Sequence, residues 1–105
     1  MKHVMKESEI VSWIFLAIGM AAQNEPASLK EISTIADGIN HAVPTEKEIR
    51  ISVSWLLQNE QIEKMGSKYR LTKQGLIIYN FASLKTNNLL EIWKNIERQI
   101  KYSSR

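Results

Sequence analysis

The stretch TEKEIRISVSWLLQNEQIEKMGSKYRLTKQG, residues 45–75, carries the clearest pattern in the chain. Thr45 with Glu48 three positions later is a capping box, in which each side chain accepts a hydrogen bond from the other residue's backbone N–H. The positions that follow recur at helical spacing and end on a glutamate: Ile49, Val53, Leu56, Leu57 and Glu60. The pattern predicts a helix that begins after Thr45 and buries one side.

The residues after this helix predict a tight β-hairpin. Ile62 and Lys64 alternate around a glutamate, and the chain returns through Tyr69-Arg70-Leu71. Gly66 supplies the positive φ that a short turn between two strands needs. Thr72 then stands where a helix N-cap is expected, so another helix should follow the hairpin directly.

Read from Trp55 to Gly75, the pattern W-L-L-x-x-x-x-I-x-K-x-G-x-x-Y-R-L-T-x-x-G resembles the recognition helix and wing of winged helix-turn-helix regulators of the MarR and PadR types. Those families usually carry Gly-Leu-Ile where this chain has Glu60-Gln61-Ile62. The resemblance covers about Ile10 to Tyr79. It implies an α+β, mostly α fold with a two-stranded wing, and double-stranded DNA as the partner. The segment Asp37–Thr45 also resembles a motif of small uncharacterised bacterial proteins, which implies no activity.

The 105 residues suit one domain. We expect a winged-helix domain over 1–84, and over 85–105 an extra C-terminal helix that dimerises the protein or caps the same domain. The chain has no cysteine, so it forms no disulfide and no cysteine-based zinc site, which fits a cytoplasmic location.

The apolar run from Ile10 to Ala22 has three interpretations. It is short for a transmembrane helix, which needs roughly 20 residues. Lysines before it and small residues at its end suit a secretory signal, but Glu7 and Glu9 lie where a signal prefers basic residues. We therefore predict a first helix that is largely buried in the core, with a stripe formed by Ile10, Trp13 or Ile14, Ala17 and Ala21.

Three further helices follow from capping residues and apolar spacing. Ser28 with Glu31 predicts a helix from Leu29 to about Ile39, and Thr72 predicts one that runs to about Leu84. Asn88 and Glu91 resemble a third cap, before the last helix. That helix has apolar residues spaced 4, 3 and 4 apart, as in a coiled-coil seam: Leu89, Trp93, Ile96 and Ile100. We expect this seam to hold a homodimer together.

Charge is distributed unevenly along the chain. Residues 1–60 contain five Lys/Arg and eight Asp/Glu, a net charge of −3, whereas residues 61–105 contain nine and three, a net charge of +6. The basic half holds the predicted wing and the last helix, which would attract phosphates. The acidic first half counts against strong DNA binding.

Polar and basic residues on the predicted recognition helix and wing are the candidates for DNA contact, because such side chains reach base edges and phosphates. They are Lys47, Arg50, Ser54 and Gln58 on the helix, and Lys64, Lys68, Arg70 and Lys73 around the wing. Glu46 and Glu48 beside them would repel phosphate.

Ile51 and Trp55 point away from the apolar stripe of the same helix, and a tryptophan is unusual on a surface that reads bases. We expect cover by the same chain or by a second subunit; the alternative is a contact site for another protein. The sequence thus leaves two functions open: a DNA-binding transcriptional regulator, or a winged-helix interaction module that uses Ile51, Trp55 and the last helix.

No catalytic, metal or cofactor site is predicted. His3 and His41 have no cysteine or closely spaced carboxylate pair near them in the sequence. The chain has no glycine-rich phosphate loop and no nucleophile elbow, so we do not expect an enzyme.

Overall fold

A computed structural model describes residues 5–100, and His3 lies outside this range. Within it the chain is mostly helical with one small antiparallel sheet, which confirms the mostly α class. The elements are α1 (Glu7–Ala21), α2 (Leu29–Asn40), α3 (Glu46–Gln58), β1 (Ile62–Met65), β2 (Lys68–Leu71), α4 (Lys73–Ala82) and α5 (Leu89–Ile100).

Helix α1 is the centre of the core, as its apolar run predicted. Every residue from Val11 to Gly19 is buried, so the predicted stripe is in fact the whole circumference of the helix. Helices α2, α3, α4 and α5 all pack against it. The indole N–H of Trp13 donates to the carbonyl oxygen of Ala36 at 2.9 Å, which satisfies a polar group inside the core. Within residues 5–100, no helix combines the length and the apolar character needed to cross a membrane.

Each helix that we predicted from a capping residue starts directly after that residue. In the Thr45–Glu48 box the two hydrogen bonds measure 2.9 and 3.0 Å, and in the Ser28–Glu31 box 2.8 and 3.1 Å. Asn88 accepts from the backbone N–H of Glu91 at 3.1 Å. Caps of this kind are each worth about 1 kcal/mol, so the helix boundaries follow from local sequence.

The predicted hairpin is present, with Ile62 opposite Leu71 and Met65 opposite Lys68. Gly66 has a φ of +66°, as the two-residue turn requires. Beyond the hairpin, Ala27 forms a bridge with Tyr69, and the N–H of each donates to the carbonyl of the other at 2.8 Å. The segment between α1 and α2 therefore pairs with the outer edge of β2.

The chain enters and leaves the hairpin at one junction. Glu60 occupies the left-handed region of the backbone, with a φ of 59°. The backbone N–H of Thr72 donates to the carbonyl oxygen of Gln61 at 3.1 Å, and the Thr72 hydroxyl donates to the carbonyl oxygen of Glu60 at 2.7 Å. A Cβ on Gly75 would stand 2.1 Å from the Gln61 oxygen, so α4 starts in contact with the backbone that opens β1.

The apolar seam of α5 faces its own chain. Ile96 and Ile100 are buried, and Trp93 is half-buried with its ring stacked on Trp13 at 6.1 Å between centroids. The Trp93 indole N–H donates to the Glu9 carbonyl and the Ser12 hydroxyl, both on α1. Of the four seam residues only Leu89 is exposed, because α1 offers both an apolar surface and hydrogen-bond acceptors. The seam therefore packs within its own chain, and a homodimer held by α5 stays a prediction.

Helix α4 presents apolar side chains to solvent. It packs inward through Gly75, Ile78, Tyr79 and Ala82, and the Tyr79 ring lies so close to α1 that a Cβ on Gly19 would stand 2.6 Å from it. The residues on the outer side of the helix, Leu76, Ile77 and Phe81, are exposed, as is Leu84 in the turn that follows it.

Replacing Gly75 with alanine should destabilise the fold by about 3 kcal/mol or more, because the new methyl group meets a backbone oxygen that is fixed by Thr72. Urea unfolding followed by circular dichroism measures the change. Gly38→Ala is the matched control: it adds the same methyl group within α2, where nothing lies within 4 Å, and should stabilise by about 0.5–1 kcal/mol. Equal effects of the two substitutions would contradict the tight contact at Gly75.

Replacing Glu60 with glycine should stabilise the protein by about 0.5–1 kcal/mol. The left-handed conformation costs an L residue roughly 1–2 kcal/mol, and glycine does not pay this cost. Glycine also makes the unfolded chain more flexible, which offsets part of the gain in stability. The same unfolding experiment applies. Gln58→Gly, two residues earlier at the last position of α3, should instead destabilise, by up to about 1 kcal/mol. A loss of stability in both variants would show that Glu60 is not strained.

Candidate nucleic-acid interface

One side of α3 is an exposed row of polar residues. The row begins at Lys47 and continues at Arg50, Ser54 and Gln58, three, seven and eleven positions later, and all four side chains are exposed. These offsets return to nearly the same angle around a helix, so the four residues share one face. The opposite side of α3, with Ser52, Val53 and Leu56, is buried.

Ile51 and Trp55 lie between the exposed row and the buried side. Both are half-buried, and Trp55 packs against the core. The chain itself therefore covers part of each side chain, one of the two kinds of cover that the sequence left open. The exposed row of α3 remains uncovered beside them.

The hairpin divides the predicted basic residues between its two faces. Neighbouring residues of a strand point to opposite faces. Tyr69 lines a groove against α2 and α3, whereas Arg70 lines a cleft on the other face with Lys73 and Tyr79. Lys64 lies opposite Tyr69 in the register and so shares its face. Arg70 and Lys73 thus line a different surface from Tyr69, and Lys68, two residues before Arg70, shares the strand face of Arg70. The basic residues that we predicted around the wing are therefore divided between its two faces.

Both arginines of the candidate interface have a carboxylate partner. Arg70 Nε donates to a Glu63 oxygen at 2.7 Å, across the two strands. Arg50 lies 3.8 Å from Glu46 one turn earlier in α3, and both of these side chains are largely exposed. Exposed pairs of this kind are weak, so phosphates compete with them readily. No carboxylate in residues 5–100 lies within ion-pair distance of Lys47 or Lys64.

A groove runs between α2, α3 and β2, with a volume of about 670 Å³. Its lining is mostly apolar and includes Leu29, Val53 and Tyr69, and its charged residues are Lys30, Glu46 and Arg50. The groove places the exposed row of α3 beside the N-terminus of α2 and the hairpin. The two cations can attract an anionic backbone, which Glu46 opposes, while the apolar part of the lining can receive a hydrophobic side chain.

Lys68, at the tip of the hairpin, acts electrostatically on the start of α2. Hydrogen bonds from the backbone N–H and the hydroxyl of Ser28 lower the pKa of Glu31 below its ordinary value of 4.5, and the positive charge of Lys68 lowers it further. The hairpin tip and the N-terminus of α2 therefore lie near each other. Lys68 itself shares the strand face of Arg70, two residues later in β2.

Comparisons with protein-family models, with curated proteins and with solved structures found no match for this chain. Within residues 5–100, no group of three or more His, Cys, Asp and Glu side chains is placed to hold a metal ion.

The pKa of Glu31 predicts how stability depends on pH. Because the folded state lowers this pKa, the contribution of the carboxylate is present above pH 4.5 and is lost as the pH falls through the folded value. Glu31→Gln keeps an acceptor for the capping box but removes the charge, so it should flatten the acid branch of the stability curve, measured by urea unfolding at a series of pH values. Lys68→Ala should flatten it less. An acid branch identical to wild type in Glu31→Gln would contradict this assignment.

Proposed function

We propose that this chain is a winged helix-turn-helix protein that binds double-stranded DNA, of the kind used in transcriptional regulation. Helix α3 is the recognition helix and the β1–β2 hairpin is the wing. The order of elements supports this: helices α1 to α3, the Ala27 bridge between the first two of them, and the hairpin directly after α3. The observation that carries the proposal is the exposed row Lys47, Arg50, Ser54 and Gln58 beside that hairpin.

In this arrangement α3 lies in the major groove, where Arg50 can donate to guanine and Gln58 can pair with adenine. Lys47 and Lys64 reach phosphates, and they are free to do so because neither is held by a carboxylate within residues 5–100. Lys68 extends the contact at the hairpin tip. Arg70 contributes less, since Glu63 neutralises it and it stands on the other face of the hairpin.

The rival function is a winged-helix module that holds a protein partner and binds no DNA. The apolar part of the groove lining beside α3 favours it, because Leu29, Val53 and Tyr69 could receive a hydrophobic side chain where a phosphate backbone would otherwise lie. The acidic residues Glu46 and Glu48 at the start of α3 favour it as well.

Binding to DNA of mixed sequence should be measurable by fluorescence anisotropy with a labelled duplex, and should weaken steeply between about 50 and 200 mM salt as counterions are released. Lys64→Ala and Lys68→Ala should each reduce the slope of log K against log salt by about 1, the value for one lost phosphate contact. Arg70→Ala should change the slope less than Lys64→Ala.

Lys94→Ala on α5 is the matched control, an exposed lysine on an element remote in sequence from α3 and the hairpin, and it should leave the slope unchanged. Two outcomes would contradict the proposal: no binding at about 50 mM salt, or equal slope changes for Lys94→Ala and Lys68→Ala. The first would favour the interaction module.

A further inference from the structure

Helix α4 combines a tightly packed inner side with an apolar outer side. The stretch from Gln74 to Leu84 contains no charged residue; the nearest charges are Lys73 before it and Lys85 after it. The inner side is held by close contacts of Gly75 with the Gln61 oxygen and of Tyr79 with α1. These contacts fix the rotation of α4, so its outer side cannot turn inward.

The outer side exposes large hydrophobic side chains in one row. Ile77 and Phe81, one turn apart on α4, are 64% and 62% exposed, and Leu84, in the turn directly after the helix, is 69% exposed. Leu76 adds to one flank of the row. We call these four residues the α4 face. Scattered exposed hydrophobic residues are normal, but a contiguous row on one helix is typical of an interaction surface.

The area of this face suits a two-fold contact. With about 200 Å² for each fully exposed side chain, the four residues offer roughly 450 Å² of surface per chain. Two copies therefore offer about 900 Å², and the polar residues around the face, Gln74, Asn80 and Lys85, bring the total near the lower end of standard interfaces at about 1,200 Å². An isologous contact uses the same patch on both chains, so one apolar face is enough.

We propose that two copies of this chain associate through the α4 face, with Ile77 and Phe81 near the two-fold axis. The neutrality of the face favours a second copy as the occupant. A nucleic acid or a charged peptide would bury phosphates or ionised side chains against hydrocarbon without a partner, whereas two identical faces bury apolar side chains at the centre and keep polar groups such as Lys85 at the wet rim. This proposal is independent of what α3 binds.

The oligomeric state tests the proposal first. Wild-type protein should sediment as a dimer at tens of micromolar, about the range in which an interface of this size associates. Phe81→Asp should shift it to monomer, because a carboxylate at the axis faces its own copy. Phe81 is mostly exposed, so the variant should keep its fold, which circular dichroism verifies. Leu84→Lys is a second variant in case Phe81→Asp unfolds.

Leu90→Asp is the matched control. Leu90 is 58% exposed and lies on α5, about 140° around that helix from Asn95, whose amide donates to the Ala82 carbonyl of α4. Leu90 therefore points away from the α4 face, and its substitution should leave the dimer intact. Wild-type protein that stays monomeric up to roughly 200 µM would overturn the proposal, as would dimers that persist in both Phe81→Asp and Leu84→Lys.

Cross-linking tests the position of the axis. The chain has no cysteine, so one introduced thiol reports on a contact between copies without interference. Phe81→Cys should form a disulfide-linked dimer under mild oxidation at tens of micromolar protein, where the two copies associate, and Leu90→Cys should not. Equal cross-linking of the two variants, or cross-linking of Leu90→Cys alone, would show that the copies meet elsewhere.

Discussion

The carbonyl oxygen of Gln61 is the point on which the arrangement of α3, the hairpin and α4 depends. It accepts from the Thr72 N–H, so the hairpin starts and ends at the same place. It also lies where a side chain at position 75 would be, which is why the first turn of α4 can come so close. The direction of the hairpin relative to α3 and the rotation of α4 are therefore set together, by one backbone group and the absence of one methyl group.

Helix α1 supports the two surfaces that this junction orients. It is buried on all sides, and α3 and α4 each pack on it. The exposed row of α3 and the α4 face are thus held by a common core while belonging to different helices. Because α1 supplies the apolar contacts for both, neither helix depends on its own exposed residues for folding, and those residues are free to serve in binding.

The sequence was most informative where a residue's local chemistry determines the backbone. Capping boxes located the starts of α2 and α3, and Gly66 located the turn of the hairpin, because these residues act within a few positions of themselves. The sequence was less informative about which surface an element faces. The 4-3-4 spacing on α5 is the same for a seam between chains and for one within a chain, and only the contacts of Trp93 with α1 decide between them.

The same limit applies to α4, and the hairpin shows a different one. Helix α4 is apolar on both sides, so periodicity could not separate Tyr79, which is packed against α1, from Phe81, which is exposed. On the hairpin, Tyr69 and Arg70 are neighbours in one strand and so point to opposite faces. With the turn at Gly66, Lys64 pairs with Tyr69, which places Lys64 and Arg70 on opposite faces as well. The net charge of this segment does not distinguish Arg70 from Lys64. The pairing of Arg70 with Glu63 makes them different, since a phosphate approaching Arg70 must displace a carboxylate and one approaching Lys64 displaces only water.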